Sequence, residues 1–140
     1  MKTQTILGAG GTIGKELARI LPTYTDTIRL VSRHPEKVNA TDEIMAADLN
    51  DPTGVDQAVA GSEVVYLAAG LPYRFKIWRE QWPRIMENII LACKKHGARL
   101  IFFDNIYIYG KVNGPITESV PYHPVSKKGE VRLQLAQMLT

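Results

Sequence analysis

The sequence predicts a doubly wound α/β fold, in which helices cover both faces of a parallel sheet. Apolar runs of strand length alternate along the 140 residues with amphipathic stretches of helix length, as in a parallel sheet with crossover helices. A glycine-rich turn separates the first run from the first amphipathic stretch. Crossovers between parallel strands are right-handed, and the turn marks where the sheet reverses direction. We therefore expect strand order 3-2-1-4-5, with a ligand across the carboxyl ends of strands one and four.

The expected strands are residues 3–8, 27–32, 43–47, 63–69 and 99–103. The expected helices are residues 13–21, stopped by Pro22, then 52–61 with Asp51 as N-cap, then 76–96, closed by Gly97, and finally 126–139. Pro83 lies inside the third helical stretch. Because proline lacks an N–H and clashes with the preceding turn, we expect that helix to end or kink near Trp82 and to begin again at Pro83. Its apolar face is expected to consist of Ile85, Ile89, Leu91, Ala92 and Cys93.

Composition excludes several classes of protein. The length suits one domain, and the net charge of +3 comes from scattered basic residues without interleaved aromatics, so we expect no nucleic-acid partner. The single cysteine, Cys93, excludes an internal disulfide framework. The three histidines share no ligand spacing with Cys93, so no metal site is expected. The N-terminus has no signal-like core and no apolar stretch could cross a bilayer, so a cytoplasmic protein is expected.

The glycine turn has the sequence Gly8-Ala9-Gly10-Gly11-Thr12-Ile13-Gly14. Glycines let a pyrophosphate approach the main chain, and the helix that follows offers free N–H groups and a partial positive charge. The spacing is G-x-x-G-x-x-G, which differs from the commoner G-x-G-x-x-G fingerprint. A strand, this turn and a helix predict a Rossmann-type dinucleotide site at Gly8, Gly11, Thr12, Ile13 and Gly14. The alternative is a glycine turn without a ligand.

The end of the second strand carries the evidence on cofactor choice. Arg33 lies nineteen residues after Gly14, where a dinucleotide fold meets the adenosine ribose. An acid there binds a free 2′-hydroxyl, whereas Ser32 and Arg33 can both donate to a 2′-phosphate. We therefore expect NADP in preference to NAD, with NAD still possible. The alternative is that Arg33 is an ordinary surface arginine.

Two further strand ends are candidate cofactor contacts. Asp48-Leu49 follows strand three and can bracket the adenine edge, or it can simply be a turn that prepares the next helix. Ala68-Ala69-Gly70 ends strand four beside the glycine turn. Small residues there allow ribose and phosphates to pass close to the backbone, and ordinary close packing would explain them equally well.

At this point the chain resembles a known family. The glycine turn, Asp48-Leu49, the Leu67-Ala68-Ala69 strand end and Ile108-Tyr109-Gly110 resemble the extended short-chain dehydrogenase/reductases, and among them the NAD-dependent epimerase/dehydratase group. The resemblance covers essentially the whole chain. It implies that residues 1–140 are the NAD(P)-binding domain of an oxidoreductase that moves hydride on a nucleotide sugar or a related alcohol or carbonyl compound. It also implies further strands and a smaller substrate domain in a longer architecture.

The resemblance implies catalytic positions that this chain fills unusually. Asn105 stands where the family has serine or threonine and is expected to position the substrate. The family then uses Tyr-x-x-x-Lys, whose lysine lowers the pKa of the tyrosine so that the phenol can exchange a proton. Here Ser126-Lys127 matches the end of that motif, but Tyr122 is five residues before Lys127.

The proton carrier therefore stays open among Tyr122, His123, Tyr107 and Tyr109. The loop that holds these side chains could also be purely structural. Two functions remain: a catalytic cofactor domain that uses Asn105, Tyr122 and Lys127, and a nucleotide-sensing module that has lost the dyad.

Strand five and the two tryptophans complete the expectations. Residues 99–103 would form an apolar sheet edge, which soluble proteins usually avoid. We therefore expect a homo-oligomer or pairing with a continuation of the chain, and no turnover by these 140 residues alone. Trp78 and Trp82 are expected to fill a core or an interface rather than to stack on a ligand.

Overall fold

A computed structural model describes residues 2–140. Within this range the strands are β1 (Thr3–Leu7), β2 (Thr27–Ser32), β3 (Glu43–Ala46), β4 (Ser62–Leu67) and β5 (Arg99–Phe102). The α-helices are α1 (Thr12–Ile20), α2 (Pro52–Val59), α3 (Phe75–His96) and α4 (Lys127–Leu139). Short 3-10 helices follow α1 and β5, at Leu21–Thr23 and Ile106–Ile108.

The strands form one parallel sheet in the order β3-β2-β1-β4-β5, which confirms the predicted topology. In the centre, Leu7 pairs with Val31 on one side and with Leu67 on the other. All three side chains are completely buried. Because these residues end or nearly end their strands, the segments that follow β1, β2 and β4 emerge at the same edge of the sheet.

The helix boundaries follow from local chemistry where caps are present. Asp51 precedes α2, and its Oδ1 accepts a hydrogen bond from the Thr53 N–H at 3.0 Å. Pro52 is the first helical residue, where a missing N–H costs nothing. Ser126 caps α4 in the same way, because its Oγ accepts the Gly129 N–H at 3.0 Å. The predicted Asp51 cap is confirmed.

The expected helix end near Trp82, with a new start at Pro83, is wrong, because α3 runs unbroken through Pro83; the alternative, a kink there, stays a prediction. The residues around it, Trp82, Ile85 and Met86, are at most 1% exposed. Their burial offsets the one backbone hydrogen bond that proline removes. The expected apolar face also needs a correction, since Leu91 is 59% exposed. At 100° per residue Leu91 lies far around the helix from Ile85 and Ile89.

Strand β5 is an edge of the sheet, as predicted. Its side chains alternate between exposed and partly buried. Ile101 and the following Phe103 are 44% and 57% exposed. Within the described residues, no helix is long and apolar enough to cross a membrane.

The chain divides into two compact units. The first, here called the sheet unit, comprises the residues up to Gly70 together with Asn88–Phe103. The second, here called the aromatic unit, comprises Leu71–Glu87 and Asp104–Thr140. The glycine turn lies in the sheet unit, and the candidate catalytic residues lie in the aromatic unit.

Candidate functional site

The glycine turn is held at the carboxyl end of the central strands. The N–H groups of Gly8 and Ala9 both donate to the Val31 carbonyl, at 3.0 and 3.1 Å. Gly8 has φ +86°, a conformation that favours glycine. A Cβ at Gly8 would overlap the backbone of Ala69. The end of β4 therefore lies against the turn, and glycine is required at position 8 by both conformation and space.

Gly14 is required for a different reason, the close packing of α1 on the turn. A Cβ there would lie 2.6 Å from the Gly8 carbonyl oxygen and 2.8 Å from the Ala9 Cα. Real side-chain contacts do not reach such distances. The third glycine of the pattern thus brings the helix N-terminus close to the loop, as a dinucleotide site needs.

Packing does not require glycine at position 11. Its φ is −81°, and the nearest atom to a Cβ there would be the Gly8 oxygen at 3.8 Å. Gly11 is the N-cap of α1, yet no side chain in the described chain caps this helix, and its first turn carries no acid. The orphan N–H groups of a nine-residue helix are therefore left beside an exposed glycine, which is the arrangement that binds phosphate.

A cavity of about 440 Å³ opens beside this turn, between Gly10 and the segment after β2. Basic side chains dominate its lining: Lys15, Arg19, His34 and Lys37, with Glu36 as the acid. Arg19 is paired with Glu16 on the same helix face. Sequence analysis missed Lys15 and Lys37, because they are twenty-two residues apart and meet only when β1 and β2 are paired.

Arg33 and Asp48, predicted from separate strand ends, line one second cavity of about 360 Å³ together with Asp51 and Thr53. Arg33 is exposed. The Ser32 carbonyl accepts the Ala47 N–H at 3.0 Å. Asp48 also has the turn role considered above, because its Oδ1 accepts the Asn50 N–H at 2.9 Å. The structure thus brings the predicted adenosine-side residues together.

The remaining cofactor candidates lie close to the same edge. The Leu49 carbonyl accepts a hydrogen bond from Asn88 Nδ2 at 3.0 Å, which fixes the backbone there. The Ala68 N–H donates to the Leu7 carbonyl at 2.9 Å, so β4 continues alongside β1 up to the turn. Gly70 is exposed with open space around its Cα. Thr12 and Ile13, at the start of α1, are also exposed.

In the aromatic unit, Asn105 begins the 3-10 helix at Ile106–Ile108. Its Oδ1 accepts the Tyr107 N–H at 3.1 Å, and its own N–H donates to Asp104 Oδ1 at 2.8 Å. One side-chain oxygen of Asn105 therefore orders the turn. The carboxamide is held at a defined place in a loop, which suits a group that positions a substrate.

Tyr122 and Lys127 have different aromatic neighbours. Tyr122 is 53% exposed in a loop, and its ring centroid lies 5.7 Å from that of Tyr109. Lys127 is the first residue of α4, and its Nζ lies 5.4 Å from the centre of the Phe75 ring. Tyr122 is thus outside the helix that carries Lys127. Their spacing of five residues is therefore not a spacing along one helix face.

An aromatic cluster in the same unit was not predicted as a group. The rings of Tyr73, Trp78 and Tyr107 lie with centroids 5.8–6.1 Å apart, and the ammonium of Lys128 lies 3.5 Å from the Tyr73 ring centre. Hydrogen bonding with Tyr73 raises the pKa of Tyr107. A phenol that holds its proton more firmly is a weaker general acid and is less readily ionised to act as a base, so this shift disfavours Tyr107 as proton carrier. The buried Trp78 and Trp82 confirm the expectation that both fill a core.

The fold and the turn define an α/β nucleotide-binding domain. A model of the NAD(P)H-binding family matches residues 8–131, so the chain belongs to that family. This confirms the resemblance stated from the glycine turn and the strand ends. A comparison with curated protein sequences finds no significant match.

Solved structures of dehydrogenases and epimerases share the fold. A variant of uronate dehydrogenase from Agrobacterium tumefaciens complexed with NAD is 22% identical, with a TM-score of 0.87, over 99% of this chain and 54% of that one. A glucuronic acid dehydrogenase from Chromohalobacter salexigens is 20% identical, with a TM-score of 0.85, over 98% and 54%. A UDP-glucose 4-epimerase is 18% identical, with a TM-score of 0.84, over 99% and 46%. The chain thus spans about half the length of these proteins.

Proposed function

We propose that this chain is the NADP-binding domain of an epimerase/dehydratase-like oxidoreductase that acts on a nucleotide sugar or a related alcohol or carbonyl compound. The observation that carries the proposal is the uncapped N-terminus of α1 beside Gly11, where glycine is not needed for packing. An exposed glycine that neither backbone conformation nor neighbouring atoms demand is best explained by a ligand that approaches the main chain.

The basic side chains near this turn support the 2′-phosphorylated cofactor. Arg33 is exposed at the end of β2, where an acid would favour NAD. Lys15, His34 and Lys37 add donors in the neighbouring cavity. Ser32 and Arg33 would bind the 2′-phosphate, and Asp48 and Leu49 would contact the adenine. The small residues Ala68, Ala69 and Gly70 would leave space for the ribose and phosphates beyond the end of β4.

The proposed chemistry assigns three roles in the aromatic unit. Asn105 would hold a substrate oxygen, Tyr122 would give or accept the substrate hydroxyl proton, and Lys127 would activate the Tyr122 phenol. The bound nicotinamide would supply the hydride chemistry. His123 is the alternative proton carrier, since one imidazole nitrogen can donate a proton while the other accepts one.

A second candidate function is a nucleotide-binding module without catalysis. The observation that favours it is the placement of Tyr122, half-exposed against Tyr109, while Lys127 faces Phe75. A lysine lowers the pKa of a phenol only within a few ångströms of it. The module would keep every feature of the glycine turn.

Titration of the chain with NADPH and NADH, followed by calorimetry, tests the proposal. We expect Gly11→Val to weaken both by at least about tenfold, because its side chain blocks the approach of the pyrophosphate to the helix N-terminus. Thermal unfolding serves as the control, since a Cβ at position 11 would meet the Gly8 oxygen only at the ordinary contact distance of 3.8 Å and the fold should be retained. Equal affinities of the wild-type chain and Gly11→Val would contradict the proposal.

Catalysis is tested with a panel of nucleotide sugars and simple carbonyl compounds, each with NADPH and with NADH. We expect no turnover by these 140 residues alone, because they span only about half the length of the dehydrogenases and epimerases that share the fold. We also expect self-association by size-exclusion chromatography through the β5 edge. Cofactor-dependent turnover by a monomer of this length would contradict both expectations.

A further inference from the structure

Arg132 is the most deeply buried cation of the aromatic unit. Its side chain is 8% exposed and lies in the middle of α4. The guanidinium carbon lies 4.9 Å from the centre of the Trp78 ring and 4.7 Å from that of Trp82. Both rings are fixed parts of α3, and Trp78 is further held by a hydrogen bond from its Nε1 to the Pro72 carbonyl at 3.1 Å. The guanidinium therefore has a defined position between two rigid aromatic side chains.

A short chain of contacts leads from Arg132 to Asn105. The Arg132 Nε lies 3.6 Å from Asp104 Oδ1, and the same oxygen accepts the Asn105 N–H at 2.8 Å. Asn105 Oδ1 in turn accepts the Tyr107 N–H. One carboxylate oxygen thus joins a buried cation on α4 to the backbone of the residue that the proposed function assigns to the substrate.

Arg132 and Asp104 carry opposite charges, and both side chains are largely shielded from solvent. Burial raises the pKa of Asp104, and the hydrogen bond from the Asn105 N–H and then the charge of Arg132 oppose that shift. Burial also lowers the pKa of Arg132, and Asp104 opposes that shift in the same way. Each group thus favours the charged form of the other, so removal of either takes away one of the interactions that offset the burial of its partner.

A second contact fixes α4 against the same loop. A Cβ at Gly129 would overlap the Tyr107 carbonyl oxygen, so the helix and the 3-10 turn are already at closest approach there. Lys127 begins the same helix. The position of Asn105 relative to Lys127 is therefore determined where α4 meets the segment from Asp104 to Tyr107.

We propose that Arg132 is a positioning residue, which acts through Asp104 to hold Asn105 and its 3-10 turn in register with Lys127. Its meaning for catalysis rests on the proposed function, in which Asn105 positions the substrate. The positioning of Asn105 by Arg132 does not rest on that function, and it can be measured without a substrate.

The experiment compares Arg132→Met and Asp104→Asn with the wild-type chain by residue-resolved amide hydrogen exchange. Methionine keeps a long apolar stem between the tryptophans, and asparagine keeps the shape of the carboxylate. We expect the Asn105 and Tyr107 amides to exchange about tenfold faster in each variant. The His123 and Gly129 amides, which donate to the Ile108 carbonyl and Ser126 Oγ in the same unit, should change much less.

The matched control is Arg79→Met. Arg79 is an exposed arginine of α3 that lies 5.5 Å from the Phe75 ring centre, and its loss should leave the exchange of Asn105 and Tyr107 unchanged. Tryptophan emission gives a second readout, because both tryptophans of the chain flank Arg132. The emission should shift in Arg132→Met and remain unchanged in Arg79→Met.

The double variant separates positioning from general stabilisation. If Arg132 acts through Asp104, Arg132→Met with Asp104→Asn should speed exchange at Asn105 no more than the stronger single variant does. Effects that multiply in the double variant, or a uniform rise across the aromatic unit, would overturn the proposal. Should Arg132→Met fail to fold, Asp104→Asn and Arg132→Lys decide it by the same local pattern.

NADPH titration of the same samples keeps the two proposals apart. Arg132→Met should bind NADPH as the wild-type chain does, because the glycine turn belongs to the sheet unit. Absence of NADPH binding by the wild-type chain would remove the proposed function and leave the exchange pattern as the test of positioning.

Discussion

The glycine turn and the Asn105–Lys127 segment are constrained in different ways. In the turn, backbone geometry dictates the residue type: Gly8 has a positive φ, and Gly14 has no space for a Cβ. In the other segment, the backbone dictates glycine at Gly110, where φ is +68° and a Cβ would overlap the His123 carbonyl oxygen. The remaining arrangement depends on packing by long side chains from outside the segment, such as Arg132 and Trp78. A site of the first kind is recognisable from local sequence, whereas a site of the second kind depends on contacts between distant residues.

The largest expected effect is that of one added methyl group at Gly14. Gly14→Ala should lower the free energy of unfolding by about 3 kcal/mol, because the Cβ meets the backbone of a turn that cannot shift without breaking its bonds to Val31. Urea unfolding measures the change. Gly10→Ala is the control, since a Cβ there meets open space and should alter stability by less than about 0.5 kcal/mol.

The next effect concerns cofactor choice. Arg33→Ala should reduce the preference for NADPH over NADH by about ten- to a hundredfold, which corresponds to roughly 1.5–3 kcal/mol for a charge-assisted contact to phosphate. NADH affinity should stay the same, and it serves as the internal control. An unchanged ratio would make Arg33 an ordinary surface arginine.

A methyl group at Gly129 tests the comparison directly. Gly129→Ala should cost only about 1.5 kcal/mol, because we expect the three-residue 3-10 helix that carries the Tyr107 carbonyl to yield more easily than a turn bonded to the central strands. The variant should keep its NADPH affinity and show altered tryptophan emission. If it destabilises the chain as much as Gly14→Ala does, the aromatic unit is as tightly constrained by its backbone as the glycine turn.

The smallest expected effect is a pH dependence in the sheet unit. Hydrogen bonds from Lys95 and then from His96 lower the pKa of Asp56 from its ordinary value of 3.8. A lowered pKa in the folded state gives stability above the unfolded value that is lost as pH falls through the folded value. Asp56→Asn should therefore lose less stability than the wild-type chain between about pH 5 and pH 3. Urea unfolding of both proteins at several pH values measures the difference. If the interaction contributes nothing, the two plots of unfolding free energy against pH will run parallel.

Much of the fold could be predicted because its signals are local. The alternation of strand and helix patterns gave the element order, and the glycine turn gave the point of reversal in the sheet. The two errors, at Pro83 and Leu91, arose from applying local rules to a helix whose burial is tertiary. Around Pro83, buried side chains on both sides outweigh one missing hydrogen bond. Leu91 was included for its hydrophobicity although its angle on the helix points elsewhere.

The candidate site likewise contains residues that local sequence identifies and residues that only the fold brings together. Gly8, Gly11 and Gly14 could be named from spacing, and the structure shows why two of them have no substitute. The roles of Arg33, Asp48, Asn105, Tyr122 and Lys127 stay predictions. The basic residues that share a cavity with Gly10 could not have been grouped in advance. Nothing in a one-dimensional pattern places Lys15 near Lys37.

The sequence by itself determined the strand order, the Asp51 cap and the glycine turn, because these depend on backbone conformation and on residues within a few positions of one another. Only the tertiary structure decided that Arg132 lies between two tryptophans and beside Asp104. It also decided that Tyr122 packs on Tyr109, whereas Lys127 packs on Phe75. Such contacts join residues whose sequence separation carries no periodic signal. They form only when helices and loops have packed, since a buried charge needs its partners assembled around it.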